Sequence, residues 1–286
     1  MTFFPGNTAN LVLCGPGEAE GRPERAWHIS DVRARRREGV AHAAGWGDMR
    51  ESKATHQWFT TARGDGARWL GAVVDPHEFD LPLAVHSADR PLAVVEDSFW
   101  SDIDYDFQSR LYVNTRTGGI RWVDVRQNAP ATPLDPDAFD FDRELEDHLP
   151  YIVPLVAEHP FWLGMEISAT WRPGVRAGKL TNIGDRPAWI EWTLSGPGVF
   201  RLPDGAGFVT LPALRVGEVA RVLTSPSART AKSNLRPDLY RDFGGQRFRH
   251  AVQPRRSVNL SSLSCLGAGA ASSAVAMIQP RYRRPW

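Results

Sequence analysis

Lys179-Leu-Thr-Asn-Ile-Gly-Asp-Arg-Pro-Ala-Trp-Ile-Glu-Trp-Thr-Leu-Ser-Gly-Pro-Gly198 reads as two strands around a turn. Ala188, Ile190, Trp192 and Leu194 recur at period two, with Trp189, Glu191 and Thr193 between them, as a half-buried strand requires. Asn182, Gly184 and Asp185 supply turn chemistry and Pro187 closes the turn. Ser195-Gly196-Pro197-Gly198 then breaks the second strand. Taken alone, the pattern fits a hairpin of any β-sandwich.

Working outward, short strands alternate with turns. Asn10 to Cys14 is a strand that runs into Gly15-Pro16-Gly17, and Phe79 to His86 carries Leu81, Leu83 and Val85 on one face. Leu111 to Asn114 and Ile120 to Arg126 form a hairpin across Thr117-Gly118-Gly119. Ile152 to Ala157 and Ser273 to Ile278 complete the strands. Ser98 offers an N-cap with acids in the following turns, so a short helix is expected from there through Asp104. Asn128 to Pro150, rich in proline and acid, reads as a loop arm. A domain boundary at Gly164 gives a first domain of residues 1–164 and a second of 165–286, two cores of ordinary size for 286 residues.

Composition fits a sheet-rich chain with many turns. Glycine and proline together fill 47 of the 286 positions, above the roughly one in eight of average proteins. A formal net charge of +1 gives no global grip on nucleic acid or an anionic membrane. Only Lys53, Lys179 and Lys232 are lysine against 31 arginines, a bias that suggests a GC-rich coding genome. Cys14 and Cys265 are too few for a disulfide framework, and a reduced cytosolic history is expected. Met1 to Pro5 lacks a basic n-region and a long apolar core, so no secretory signal is read there. The small-apolar tract Leu266 to Ile278 is too short to cross a bilayer.

Gly15-Pro16-Gly17 follows a strand, but Gly21-Arg22-Pro23 stands where a phosphate-binding loop needs a helix, so a turn is the better reading. Asp102, Asp104 and Asp106 imitate the start of a calcium loop, yet Phe107 occupies the place of the sharp-turn glycine. The acidic run Asp135, Asp137, Asp140, Asp142, Glu144, Glu146 and Asp147 lies in a Pro-rich loop. It gives no pair of carboxyls held at a defined separation. No histidine stands at metal-ligand spacing from a second His or Cys, and no Gly-x-Ser-x-Gly elbow exists. His159 reads as a strand-end hydrogen-bonding residue. Arg33-Ala34-Arg35-Arg36-Arg37, with no interleaved aromatics, reads as a solvated or subunit-contact surface. No catalytic residue, cofactor site or metal site is assigned.

The wording of these segments carries a resemblance. Asn182, Gly184, Pro187, Trp192 and Gly196, followed by Leu214-Arg215-Val216-Gly217-Glu218-Val219-Ala220-Arg221-Val222, are similar to the second domain of the distal tail protein family. These are the minor tail or siphovirus-type tail components of long-tailed phages, particularly those infecting actinobacteria. Gly118 to Arg126 and Ala157 to Trp162, ending in Pro160-Phe161-Trp162, resemble the two phrases that close the family's first domain. Pro285-Trp286 resembles its terminal Pro-Trp. One departure is Leu223-Thr224, where family members often carry an acid before the threonine.

The resemblance implies an all-β fold: an N-terminal β-barrel-like domain with one short helix, then a C-terminal galectin-like β-sandwich. It implies a virion structural protein rather than an enzyme, six copies closing a ring at the distal end of the tail. The ring would join the tail tube protein to tail-tip, hub and fibre proteins, with a lumen for the tape measure protein or genome and no membrane contact. No cofactor is implied. The rival reading is a carbohydrate-binding sandwich module, kept in view by eleven tryptophans that stack on sugars when exposed. Arg281 to Trp286 are expected to be ordered, with the Trp286 ring in an apolar site on its own subunit or a neighbouring one, because a free terminus seldom ends on its largest apolar side chain.

Overall fold

The computed structural model describes residues 10–17, 25–30, 37–43, 49–62, 64–133 and 147–286. The chain divides into two compact units, one of Met1–Leu163 with Arg283–Trp286 and one of Gly164–Tyr282. The second domain was expected to run to Trp286, whereas the last four residues belong to the first unit.

The first unit contains β1 (Asn10–Cys14), β2 (Ala26–Trp27), β3 (Val40–His42), β4 (Ala54–Phe59), β5 (Arg68–Val74) and β6 (His77–His86). After the helix α1 (Leu92–Trp100) come β7 (Ser109–Thr115), β8 (Gly119–Gln127), β9 (Thr132–Pro133) and β10 (His148–Ala157). The main sheet runs β2-β1-β7-β8-β10-β6-β3, with β9 on β10, and curls into a barrel-like wall. Its inward face follows period two: Phe79, Leu81, Leu83 and Val85 on β6 face Leu155, Val153, Tyr151 and Leu149 across the β10 ladder, all buried.

Two expectations fail here. The helix covers Leu92–Trp100 with Pro91 before it, so Ser98 lies in its last turn and not at its start. Leu92, Val95, Glu96 and Phe99 are the buried residues, at i, i+3, i+4 and i+7. That stripe outweighs a local capping signal, and proline suits a helix start because its missing N–H needs no partner. The loop arm Asn128–Pro150 is shorter than expected, because β10 begins at His148. Pro150 and Pro154 donate no N–H, yet the strand holds, since its second edge is covered only at Tyr151–Ile152 by β9 and Leu155–Val156 by β8. Asp135 to Glu146, Arg33 to Arg36, Gly21 to Pro23 and Met1 to Pro5 lie outside the described residues.

Between the units of sequence, β11 (Trp162–Gly164) adds to β8. The second unit is a β-sandwich. Its first layer uses β12 (Ile167–Trp171), β14 (Ile190–Ser195), β17 (Val219–Leu223), β18 (Thr230–Ser233) and β21 (Ser273–Ile278) in the order β12-β21-β14-β17-β18. Facing it are β16-β15-β20 (Gly207–Thr210, Val199–Asp204, Ser264–Leu266) and the pair β13-β19 (Lys179–Thr181, Ser257–Asn259). One cluster of buried residues draws on both layers, with Trp192, Leu194 and Val222 from the first and Leu180, Phe200, Leu202 and Val209 from the second. Trp192 lies between Val222 and Ala276 on its two neighbouring strands, and the small Ala276 leaves room for the indole. β13 and β14 are the two strands read from the sequence, but they do not pair with each other; they stand in different layers. The all-β class, with a barrel-like first part and a galectin-like sandwich second, is the fold of this chain.

Candidate functional site

The motif residues hold two ends of one strand. At the entrance to β14, Asn182 is fully buried, and its side chain closes three hydrogen bonds. Nδ2 donates to Arg186 O and Val252 O, both at 2.8 Å, and Oδ1 accepts Gly184 N at 2.9 Å. Its backbone pairs with Arg255 N and Arg256 O at 2.8 and 2.9 Å. An aspartate lacks the two donors and an alanine lacks all three groups. Gly184 is glycine because of space: a Cβ there would stand 2.6 Å from Arg281 O. Pro187 is exposed and rigidifies the turn from outside.

At the exit of β14, residues 196–198 carry the chain from one layer to the other. A Cβ on Gly196 would lie 2.2 Å from the Arg215 carbonyl oxygen, and Gly196 N donates to Glu218 O at 2.8 Å. Gly217 has φ +75° at the third position of the Arg215–Glu218 turn, where the backbone and not the space demands glycine. Glu218 is fully buried and fully engaged: Arg236 Nε and Nη2 donate at 2.8 and 3.0 Å, Ser233 Oγ at 2.6 Å and Arg215 N at 2.9 Å. Burial pushes its carboxyl up, but the Arg236, Ser233 and Arg215 donors outweigh that and hold it at about 2. Thr224, which follows the departing Leu223, still donates to Ile190 O at 2.7 Å.

These two knots sit at opposite ends of a six-residue strand, roughly 20 Å apart at the strand rise. They secure the sandwich and offer no free reacting group. Pro160, Phe161 and Trp162 belong to the first unit, where Trp162 is fully buried against the His77 ring at 6.4 Å and Pro160 O accepts Ser52 Oγ at 2.7 Å.

Pro285 is buried, whereas the Trp286 ring is 38% exposed and carries the Arg50 guanidinium 5.9 Å from its centroid. The ring makes a cation–π contact there. The segment is pinned through its backbone: Arg121 Nη1 donates to Arg284 O at 2.7 Å, and Glu51 pairs with both Arg283 and Arg284.

Two of the acids weighed for calcium have partners of their own. Buried Asp102 accepts Trp27 Nε1 at 2.8 Å and Arg25 at 3.2 Å, and Asp104 accepts Asp106 N at 2.9 Å. A Cβ on Gly15 would meet Asp102 Oδ1 at 2.8 Å, so this glycine admits the Asp102 side chain. Glu96 accepts the Tyr151 hydroxyl and the Trp100 indole. Among the described residues no three His, Cys, Asp or Glu side chains gather as a metal site, and no helix is long and apolar enough to cross a membrane.

Sequence reading missed the most unusual surface of the first unit. The two-stranded hairpin β4-β5 stands apart from the main sheet. It exposes Trp58, Phe59, Trp69, Leu70 and Val73, each about half accessible or more. Trp58 and Trp69 are cross-strand partners, and Trp69 Nε1 donates to His56 Nδ1 at 3.1 Å. Isolated two-stranded ribbons are marginal in water, and apolar surface of this density marks a contact site. The signal available in the sequence was Trp58-Phe59 and Trp69-Leu70, flanking the turn residues Gly64-Asp65-Gly66.

No family model matches the chain, and no curated protein does either. Solved structures do match. The Dit protein of phage SPP1, described as a paradigm of hub adsorption apparatus in phages infecting Gram-positive hosts, superposes with a TM-score of 0.61 at 10% identity. The match covers 95% of this chain and 98% of that one. A chain of the phage P2 baseplate in its activated conformation with Ca matches with a TM-score of 0.53 at 9% identity, covering 96% and 98%. At such identities the likeness is one of fold, and it extends through both units.

Proposed function

We propose that this protein is a structural subunit of a phage tail tip. In this reading six copies close a ring at the distal end of the tail, joining the tail tube protein to the tail-tip hub and fibre proteins. The tape measure protein or genome passes through the lumen without sequence-specific contact. The first domain, residues 1–164 with the returning tail Arg283–Trp286, forms the ring, and the sandwich domain that begins at residue 165 faces the adsorption apparatus. The protein acts by assembly, with no catalytic role and no cofactor, and its location is the virion.

The observation that carries this reading is the fold likeness to a phage hub protein over nearly the whole of both chains. The exposed β4-β5 hairpin supports it, because a ring of identical subunits needs one patch of each to meet a different patch of the next, and an apolar arm is such a patch. The test is a tail reconstruction together with ring formation by the purified chain, measured by light scattering. A sixfold density at the distal end is expected, and Trp58→Ser with Trp69→Ser is expected to leave a folded monomer that does not close rings. Density in the capsid, or along the outer wall of the tube, defeats the proposal.

A further inference from the structure

The second unit carries a basic concave surface that the motif residues do not explain. Two cavities, of about 430 and 370 Å³, adjoin at Asp204 and His250. Arg247, Arg249 and Phe208 line the first, and Arg256 the second. From Phe243 to Trp286 the sequence contains no Asp or Glu. Arg247, Arg249 and Arg256 are exposed and make no ion pair among the described residues.

The loop that presents them is rigidly built. Phe248, between two arginines, is buried in the sandwich core, which turns Arg247 and Arg249 outward. Asp204, itself buried, accepts Arg249 N at 2.9 Å, His250 N at 3.0 Å and His250 Nδ1 at 3.2 Å. Its carboxylate thereby holds the loop and lines both cavities. Gly205, at φ +63°, has no Cβ to strike the His250 ring, which a Cβ would approach to 2.8 Å. On the far side the Arg255–Arg256 backbone is tied to Asn182.

We propose that this surface binds a saccharide bearing a phosphate or carboxylate. Guanidiniums lining one surface favour an anion there, which each recognises through its planar fork of N–H donors. A free inorganic anion needs no apolar wall. Here the Phe208 ring, with Arg201 4.0 Å from its centroid, forms one side of the larger cavity, as suits the C–H faces of a sugar. Gln246 accepts Thr210 N at 2.9 Å through Oε1, which leaves its NH₂ to donate to hydroxyls. The inference goes beyond the tail-tip reading and does not depend on it, since it concerns the sandwich surface alone.

The test uses the full-length chain and saturation-transfer NMR with titration. Its probes are glucose 6-phosphate, a glucuronate-containing tetrasaccharide, glucose, inorganic phosphate and a thymidine oligonucleotide. One of the two charged sugars is expected to bind about tenfold more tightly than glucose or phosphate, more weakly as salt is raised. Which of the two binds identifies the anionic group. Arg247→Ser with Arg249→Ser is expected to abolish binding and Phe208→Ala to weaken it, with the fold checked by near-UV circular dichroism. Three results overturn the proposal: no binding of either charged sugar, phosphate binding as tightly as the sugars with Phe208→Ala silent, or preference for the oligonucleotide. Salt dependence of the wild-type chain stands as the second measurement should the double variant misfold.

Discussion

Glu218 shows how a motif residue that looks chemical turns out to be architectural. Its carboxylate sits near a titration point of about 2, below its ordinary 4.5. The folded state therefore holds the charged form more tightly than the unfolded chain does. The resulting stability is fully present above about pH 4.5 and is lost as pH falls through about 2. Over that interval linkage gives about 3 kcal/mol. Glu218→Gln is expected to lower unfolding free energy at pH 7 by about 2–4 kcal/mol, because it leaves Arg236 facing a neutral group. In urea titrations at successive pH values, the gap from wild type should be constant above pH 5 and shrink toward pH 2. A gap that persists unchanged in strong acid contradicts the account. Asn182→Ala removes the acceptor of Gly184 N and one donor each from Arg186 O and Val252 O, the latter still accepting from Ala188 N. A loss of about 2–4 kcal/mol is expected by the same titration at pH 7.

Among the elements, helix α1 and the β4-β5 hairpin make opposite uses of aromatic residues. On α1, Phe99 is fully buried, with its ring 5.6 Å from Trp27 and 5.1 Å from Trp100. Phe99→Ala removes an aromatic from a packed site, and a cost of about 3–5 kcal/mol is expected, read as a lowered thermal midpoint. On the hairpin, Trp58 and Trp69 face solvent, so the same kind of truncation is expected to cost the folded core little. The difference is legible only after the elements are placed. In sequence, Phe99-Trp100 and Trp58-Phe59 are similar pairs, and nothing local says which one meets a core.

Across the whole molecule, each unit has its own core, and the chain's last residues return to the first. Arg283–Trp286 contribute a buried Pro285, the Arg50–Trp286 contact and pairs with Glu51. Surface ion pairs contribute little singly, so deletion of these four residues is expected to cost about 1–2 kcal/mol. In calorimetry the transition of the first unit should fall by about 3–6 °C while that of the sandwich stays in place. An equal shift of both transitions, or none, contradicts the assignment of the tail to the first unit.

Much of the strand pattern was present in the sequence, because a strand's side chains alternate by backbone geometry alone. Ile190 to Leu194 and Phe79 to His86 form where the period-two pattern puts them, with Ala188 reduced to an isolated bridge, and Asn10 to Cys14 and Ser273 to Ile278 form as read. The glycines at 184 and 196 were legible as turn positions and Gly217 only as part of the resemblance, but not the reasons for them. Two are excluded from carrying a Cβ by a carbonyl oxygen far away in sequence, and one needs a left-handed backbone. What each strand pairs with was not legible. Lys179–Thr181 and Ile190–Ser195 read as neighbours and lie in different layers, since Asn182 bonds to Val252, 70 residues on. Nor did local signals place α1, where a buried stripe overrode a serine cap, or separate the exposed ring of Trp286 from the buried Pro285 beside it. Periodicity and turn chemistry are properties of neighbouring residues and can be read along the chain. Layer, burial and the sharing of a carboxylate among distant donors depend on which segments meet, and only tertiary structure decides that.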